Sequence, residues 1–384
     1  MLRSIAYTSF AELPSHCLTF LNDVEKTNFF LGSGWFSNFS QNTITADSKT
    51  RIYTVEEVSD VPETRAVLFM RAPGGQNGSY SEKHFSGSKT VASMTAHQSI
   101  SFAPAINPSD EQQEHIINTL IQSICEDKST WNLIDLNFMD KESSLYKQLS
   151  NALSNHGMIV RDYEYRLNLY ENLSGTTFKD FVASRPSMVH KTYMRKARKL
   201  EKTGSVRFEL LQTGDLEQAI NDYKTVHDKS WKEAELFPRH DPGVIEASAK
   251  AGSLRLGLLY FDDKPVAVQI WIVSSGRATI YKLHYDYNFQ QESVGAILML
   301  RMFEHMIDVE HVNEVDFGVG DETAKSYWLK DQRPLCGIVA FNTKTLGGLL
   351  ALTRFSTAAQ ISNLKQKLNP ILLLLKQRLS KSDK

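Results

Sequence analysis

The sequence predicts a mixed α/β protein of two lobes, each with a largely antiparallel sheet flanked by helices, followed by a helical C-terminal tail. The length favours two lobes, because 384 residues with 41% hydrophobic content are more than one core usually organises. The patterning favours both element types, because apolar residues recur at helical spacing in some segments and alternate in others. We expect lobes at residues 1–174 and 175–345, and the tail at 346–384.

The first lobe changes between strand and helix patterns after an aromatic cluster at residues 29–36, which glycines interrupt. Alternation predicts strands at 51–58 and 65–71. The glycine-rich loop APGGQNGS that comes after them is interpreted as a turn, since it lacks the spacing of a phosphate-binding loop. Isoleucine and leucine at helical spacing predict an amphipathic helix over 110–126. Strand, helix and strand patterns come next, at 131–138, 143–156 and 161–170.

The second lobe begins with a basic segment and continues as an antiparallel meander. Lysine and arginine crowd one predicted helix at 191–202. Such a run is usually a solvated surface, and the alternative is a site for a phosphate or a polyanionic carrier such as an undecaprenyl-diphosphate sugar or an acyl carrier protein. Short turns between alternating segments predict hairpins. The predicted elements are a strand at 206–211, a helix at 216–233, strands at 254–261, 265–273 and 278–285, a helix at 295–309, a strand ending at Phe317 and a strand at 335–341.

Charge and cysteine usage narrow the partners and the location. A formal net charge of −1 gives no general attraction to nucleic acid or to an anionic membrane. Cys17, Cys125 and Cys336 are widely separated, which favours a reducing compartment over a disulfide framework. Neither a signal peptide nor a membrane span is indicated, so we expect a cytoplasmic protein. The tail, rich in leucine and lysine, is interpreted as packing on the second lobe, with contact at the inner face of a membrane as the alternative.

A junction of strand, loop and helix in the second lobe predicts an anion site. Within YKLHYDYNFQQESVGAILML, the small or β-branched residues Ser293, Val294, Gly295 and Ala296 open the helix. The first amides of a helix have no internal partner and bind anions, and glycine has no Cβ to block a close approach. An ordinary helix start capped by Ser293 explains the same residues equally well.

The segment VNEVDFGVGDETAKSYWLKDQ carries the polar residues most suited to chemistry. Asp316, Asp321 and Lys325 lie at and after the end of a predicted strand, where functional side chains are often found. A carboxylate here can take a proton from an attacking amine, and a lysine can offset charge on an oxyanion or a phosphate. As structural alternatives, Asp321 caps a turn and Trp328 anchors the core. His284 is a third candidate base, although a buried, hydrogen-bonded histidine is the commoner outcome in a strand.

In this order along the chain, the motifs resemble the FemAB-like branch of the GNAT superfamily, and most closely the CelD-type acetyltransferases associated with polysaccharide biosynthesis. The matching segments are MRKARKLEKTG, VHDKSW, YKLHYD, ESVG and DFGVGDETAKSYW. The resemblance covers residues 178–341, and the first lobe resembles a weaker copy, with Trp35 near its usual early position. Two positions depart from the family pattern: Val294 replaces a proline in the loop, and Ala324 replaces the aromatic residue before the lysine.

The resemblance implies tandem GNAT-like lobes and an acyl-CoA donor, acetyl-CoA or longer, whose pyrophosphate lies at Ser293, Gly295 and Ala296. It implies direct attack of an amine or hydroxyl on the thioester, without a nucleophilic cysteine. No metal is expected, because HxxxH, CxxC and HExxH spacings are absent. We therefore expect an N- or O-acyltransferase of cell-envelope or exopolysaccharide synthesis, with an acyl carrier protein as a candidate partner. The remaining candidates are Tyr281 and Asp286 for the cofactor, and Trp231, His227, Tyr327, Trp328 and Arg195 for the substrate.

Two other functions remain open. Aminoacyl transfer from charged tRNA to a peptidoglycan precursor, as in FemAB ligases, would want a coiled-coil arm or a stronger basic field, and neither is evident. A non-catalytic binding lobe in a biosynthetic complex is favoured if the changes at Val294 and Ala324 reflect lost activity.

Overall fold

Thirteen strands form one mostly antiparallel sheet with flanking helices, within the residues that the computed structural model describes. Those residues are 1–44, 48–72, 80–85, 87–127, 130–230, 236–319 and 323–357. The predicted mixed α/β fold class is confirmed. No helix in the described part of the chain is both long and apolar enough to cross a bilayer.

The first half of the molecule, which we define as residues 1–172, contains the predicted strands and helices within a few residues of their expected ends. Two helices near its beginning were not predicted, because polar residues, and a glycine in the second of them, weaken the helical pattern, and burial against distant residues stabilises them. The helices are α1 (Ser15–Thr27), α2 (Ser33–Asn42), α3 (Tyr80–His84), α4 (Gln113–Cys125) and α5 (Ser144–Asn155). The strands are β1 (Leu2–Tyr7), β2 (Lys49–Glu57), β3 (Glu63–Ala72), β4 (Thr90–Ser93), β5 (Ala105–Ile106), β6 (Leu133–Asp140) and β7 (Met158–Asn172).

The second half, which we define as residues 173–357, repeats this order of elements. Its helices are α6 (Phe178–Ala183), a π-helix (Met188–Tyr193) that continues into α7 (Met194–Thr203), α8 (Leu216–Asp228), α9 (His240–Lys250), α10 (Val294–Asp308) and α11 (Thr323–Ser326). Its strands are β8 (Val206–Leu211), β9 (Leu254–Phe261), β10 (Lys264–Ser274), β11 (Arg277–Tyr285), β12 (Glu314–Val319) and β13 (Asp331–Asn342). A final helix occupies residues 346–357 of the predicted tail, and the rest of that tail lies outside the described residues.

The two halves exchange one strand each and so share a single sheet. The order is β1-β2-β3-β4-β6-β13-β7-β12-β11-β10-β9-β8, with β5 paired to β3. Strand β7 of the first half lies beside β12, and strand β13 of the second half lies beside β6. Each half has one parallel pair, β4 with β6 and β11 with β12. A lobe boundary near residue 174 falls in the loop after β7, and division into lobes there stays a prediction.

Three hydrophobic clusters hold the helices on this sheet. The largest packs α1, α2, α4, α5, α8 and α9 against strands of both halves, which joins the halves through one core. A second cluster packs α6, α7 and α10 against the second half. A third, smaller cluster packs α3 and the final helix against β6, β7 and β13. The parallel pair β11 and β12 lies between the helices of the first two clusters, where the candidate site is found.

Candidate active site

The first turn of α10 presents backbone amides beside a cation. Ser293 adopts a left-handed conformation, with φ of 60° and ψ of 41°, and turns the chain into the helix. The amides of Val294 and Gly295 are the first of the helix and have no intrahelical acceptor. A Cβ on Gly295 would lie 3.0 Å from the ring of Tyr285, so glycine keeps this corner narrow. Lys196 of α7 donates to the Ser293 hydroxyl at 2.8 Å, which makes the corner electropositive.

Strand β11 carries a bulge opposite this helix start. Its pairing with β10 shifts register at Tyr281, which becomes an extra residue in the strand. Ile280 packs in the core under α10, whereas Tyr281 and Lys282 both contact polar residues of α9. On its other side, β11 pairs with β12 over three residues and the pairing ends at Thr279 and Asp316. Beyond that pair the two parallel strands separate and the sheet opens.

A cavity of about 720 Å³ lies at this opening and connects the start of α10 with the bulge of β11. A loop of the first half closes it from the opposite side. The volume is within the usual range for small-molecule and cofactor sites. Its polar lining comprises His97, Gln98, Tyr193, Tyr281, Lys282, Tyr285, Gln290, Ser293 and Lys325, and its apolar lining includes Ile100, Met299, Phe317 and Trp328.

Tyr281 connects the cavity to a buried polar network that joins the two halves. Its hydroxyl lies 2.9 Å from His240 Nε2 and 3.5 Å from Asp241 Oδ1. On its other nitrogen, Nδ1, His240 lies 2.6 Å from the Thr43 hydroxyl of the first half. Burial lowers the pKa of His240 to about 4, so the ring is neutral near pH 7 and offers one donor and one acceptor. Lys282 forms an ion pair with Asp241 at 3.2 Å.

Asp316 lies at the point where the strands separate and lines a neighbouring cavity of about 510 Å³. Its buried carboxylate accepts hydrogen bonds from Asn168 Nδ2 and from the backbone N–H of Gly318, both at 2.6 Å. Arg333 of β13 forms an ion pair with it at 2.8 Å. Burial opposes the charge of Arg333, but Asp316 and Glu314 outweigh that effect and raise its pKa. Asp316 therefore braces the ends of three strands, and its role as a base stays a prediction.

Lys325 and Trp328, both predicted site residues, do line the larger cavity. Lys325 Nζ donates to a backbone carbonyl of β12 at 2.8 Å, and the residue lines the same cavity as Tyr281. The Trp328 ring is stacked between Phe303 and Tyr193, with centroids 5.6 and 5.9 Å away. Trp328 is thus both a core anchor and part of the cavity wall, while its half-buried neighbour Tyr327 packs at the edge of the same core.

The predicted histidines lie beside α8 rather than on the cavity. His284 is buried with Nε2 3.4 Å from the Tyr223 hydroxyl. The ring of His227 packs against His284 with centroids 4.9 Å apart. This arrangement corresponds to the structural alternative considered for both histidines, and their predicted roles stay untested.

Of two further predicted site residues, one makes a local structural contact and the other is exposed. Asp286 accepts a hydrogen bond from the backbone N–H of Asn288 at 2.9 Å and caps the turn after β11. Arg195 is exposed on α7. Trp231 and Asp321 lie outside the described residues, so the structure does not place them.

Sequence reasoning missed several residues at the site. Gln98 lies in a loop of the first half, and a loop carries no periodic signal. His240 opens a helix that the pattern did not predict, and its partners Thr43 and Tyr281 are far away in the chain. Lys196 belongs to the predicted basic segment, whose main interpretation was a solvated surface. Its contact at the start of α10 favours the alternative of phosphate binding for this lysine.

The expectation that no metal is bound rests on sequence spacing and stays a prediction. Within the described ranges, one group of potential ligand atoms converges: His16, Cys17 and Glu56 lie within 4.8 Å of one another. Glu56 is bonded there by His16 at 3.1 Å and by Arg3 at 3.3 Å. Ion pairing accounts for this group, which lies at the β1 and β2 edge of the sheet, away from the cavity.

The helix start, the bulged strand and the opening of the parallel pair all lie within a segment that matches a known family model. Residues 187–326 match the family model described as an acetyltransferase (GNAT) domain. This segment contains β8 to β12 and the start of α10, so the match includes the second-half wall of the cavity and supports an acyltransferase. A search among curated proteins gives no match.

Solved structures share the fold over most of the chain. FemX is 10% identical with a TM-score of 0.57, and the alignment covers 88% of this chain and 99% of FemX. A protein of unknown function from Bacteroides thetaiotaomicron is 11% identical with a TM-score of 0.53, covering 88% and 100%. The C-terminal domain of an Agrobacterium fabrum protein named for lysylphosphatidylglycerol synthetase is 12% identical with a TM-score of 0.50, covering 89% and 96%. At these identities the likeness establishes the fold alone.

Proposed function

We propose that this protein is an acyl-CoA-dependent N- or O-acyltransferase whose donor lies in the larger cavity. The observation that carries the proposal is the continuity of that cavity, from the first amides of α10 to the opening between β11 and β12. The amides and the Lys196 cation suit a diphosphate at one end. The opening in the sheet suits a narrow arm that ends in a thioester near Tyr281.

Direct transfer requires positioning of the two substrates, removal of one proton and stabilisation of an oxyanion. The acceptor nitrogen or oxygen forms a bond to the thioester carbon, the C–S bond breaks, and the proton from the acceptor ends on the thiol. Tyr281 is well placed to exchange that proton, because neutral His240 holds its hydroxyl at 2.9 Å at the bulge. Lys325 supplies positive charge in the lining of the same cavity. In this scheme Asp316 shapes the opening through Arg333.

As acceptor we propose an amine or hydroxyl of a cell-envelope or exopolysaccharide precursor. The order of motifs shared with CelD-type acetyltransferases supports this choice, and the fold shared with FemX is compatible with it. The acceptor would enter the same cavity, which residues of both halves line.

The final helix has both packed and exposed apolar side chains, which matters for whether a cytoplasmic protein would contact the membrane through its tail. One side of it packs in the third cluster through Ala351, Leu352 and Phe355, in line with the packing interpretation of the tail. Another side leaves Leu346 and Leu350 exposed, at 81% and 60%. Contact with the inner face of a membrane therefore remains the alternative for the tail, and a vesicle sedimentation assay with anionic lipid tests it.

Thermal denaturation with acetyl-CoA, palmitoyl-CoA and desulfo-CoA tests the donor. A CoA ligand at about 100 times its Kd is expected to add about 2.7 kcal/mol to the free energy of unfolding. Gly295→Glu places a negative charge at the amides and is expected to abolish the stabilisation. The matched control Gln112→Glu adds the same charge at the exposed start of α4 and is expected to leave it intact. If no CoA compound stabilises the wild type, the donor assignment fails and a carrier-binding or scaffold role is favoured.

A further inference from the structure

Gln98 is a buried polar residue in the wall of the larger cavity. Its side chain is part of the cavity lining, and the residue is only 5% exposed. Neither Nε2 nor Oε1 of this side chain has a hydrogen-bond partner within the described residues. A buried amide without hydrogen-bond partners lowers the free energy of unfolding and is therefore rare in native proteins. Both atoms are expected to bond to a ligand.

The loop that carries Gln98 is fixed on both sides of it. Thr95 Oγ1 donates to Asn137 Oδ1 at 2.7 Å, and the backbone N–H of Ala96 donates to Ser99 Oγ at 3.0 Å. Further along, the loop rejoins β6 through a backbone hydrogen bond of 3.0 Å. The side chain of Gln98 is thus presented from a braced loop of the first half, and binding to it requires little further ordering.

Three other polar residues of the cavity lining are already engaged. Tyr281 and Lys282 bond residues of α9, and Ser293 is bonded by Lys196. Gln98 offers a donor at Nε2 and an acceptor at Oε1, and the groups that complement them are an amide carbonyl and an amide N–H. In an acyl-CoA donor, amides lie on the pantetheine arm between the diphosphate and the thioester.

We infer that Gln98 binds the pantetheine arm, donating from Nε2 to the carbonyl of one of its two amides and accepting at Oε1 from the N–H of the other. This inference rests on the proposed function and extends it. The first half then takes part in donor binding, rather than only supporting the second half. It also gives the cavity two recognition points, the α10 amides for the diphosphate and Gln98 for the arm.

Isothermal titration of the full-length protein with CoA and with ADP tests the inference, because ADP keeps the adenosine diphosphate and lacks the arm. Gln98→Leu removes both polar atoms at similar size. We expect its Kd for CoA to rise about tenfold while its Kd for ADP changes by less than about twofold. We expect its Tm to be no lower than that of the wild type, since a buried unpaired amide has been removed. The control Gln112→Leu, at an exposed glutamine, is expected to leave both Kd values unchanged.

The outcomes separate this inference from the proposed function. If the wild type binds CoA and Gln98→Leu binds it equally well, the role of Gln98 is wrong and the proposed function stands. Equal weakening of CoA and ADP also overturns it, because the effect is then not on the arm. If the wild type binds no CoA, both fail together. Gln98→Glu keeps an acceptor and loses the donor; it is expected to bind CoA less tightly than wild type, and serves if Gln98→Leu does not fold.

Discussion

The parallel strand pair occurs once in each half, and the two pairs differ in how the chain continues beyond their third residue. Asp135 and Asp316 hold matching positions, paired with Ala92 and Thr279. In the first half, the loop after β4 crosses back onto β6 and closes the gap with hydrogen bonds such as Thr95 to Asn137. In the second half, β11 bulges and the gap becomes the larger cavity. The same strand order is thus closed by hydrogen bonds in the first half and leaves the larger cavity in the second half.

The helices that connect the strands of the two parallel pairs also differ, in the charge at their first turns. Helix α4 has Glu114 in its first turn, which already satisfies the positive end of the helix. Helix α10 has no acidic residue in its first turn, and Lys196 lies beside it. An external anion is therefore favoured at α10 and disfavoured at α4. Substitutions in both halves test this contrast.

The two matching aspartates are expected to differ in their contribution to stability. Asp316→Asn leaves half-buried Arg333 with a weaker partner and is expected to lower the free energy of unfolding by about 3 kcal/mol. Burial raises the pKa of Asp135, so its charge contributes less, and Asp135→Asn is expected to cost about 1 kcal/mol. Urea denaturation at pH 7 measures both. If both variants lose the same free energy of unfolding, the two aspartates contribute equally to stability and the expected difference is wrong.

His240 is expected to make the joint between the halves sensitive to acid. Its pKa is about 4 when folded, lowered first by burial and then by Lys282 and His97, against the opposing Asp241, and is ordinarily 6.5. The unfolded chain therefore takes up the proton first, so the contribution is complete above pH 6.5 and is lost as pH falls towards 4. The expected loss between pH 7 and pH 4 is about 3 kcal/mol. Urea denaturation across this range measures it, and a His240→Gln variant with an unchanged slope would contradict it.

Tyr281→Phe tests whether the bulge of β11 takes part in the reaction. Loss of its hydroxyl is expected to lower turnover about 100-fold, as for a group that exchanges a proton with the substrate. The Kd for CoA is expected to change little, since the ring and the backbone remain. Tyr285→Phe removes a hydroxyl from the same cavity and serves as the matched control. Similar turnover in both variants would remove Tyr281 from the proposed chemistry.

Lys196→Met tests the electrostatic contrast between α4 and α10. Loss of the cation at the Ser293 corner is expected to weaken CoA binding about tenfold, with the effect shrinking as salt rises. Lys199→Met changes an exposed lysine of the same helix and is expected to have less than about a twofold effect. Calorimetric titration at low and high ionic strength measures both. If the two variants weaken binding equally, the basic helix acts as a diffuse field and Lys196 has no special position.

Local patterns in the sequence predicted the elements whose boundaries neighbouring residues decide. Helix α10, expected at 295–309, spans Val294–Asp308, and the three-strand meander lies where alternation placed it. Helices α1 and α2 were missed, because serine and asparagine, together with Gly34 in α2, lower their helical propensity, and contacts with distant residues stabilise them. The fold class could therefore be predicted from local patterns in the sequence, whereas helices α1 and α2 could not.

The candidate site was only partly predictable, for the same reason. The start of α10 and Lys325 belong to local motifs, and both line the cavity. Gln98 and His240 act on residues of the other half, which no local spacing encodes. Asp316 was singled out as a base from its motif, but its partner Arg333 lies on β13, which reaches it only through the exchange of strands.

That exchange also sets the order in which the protein can form as it leaves the ribosome. Strand β6 ends at residue 140, yet the strand that covers its free edge begins at residue 331. Throughout that interval the nascent chain carries an exposed edge of hydrogen-bonding groups, which invites pairing with a neighbouring chain. A chaperone that binds extended segments, or rapid completion of synthesis, would protect this edge until β13 arrives.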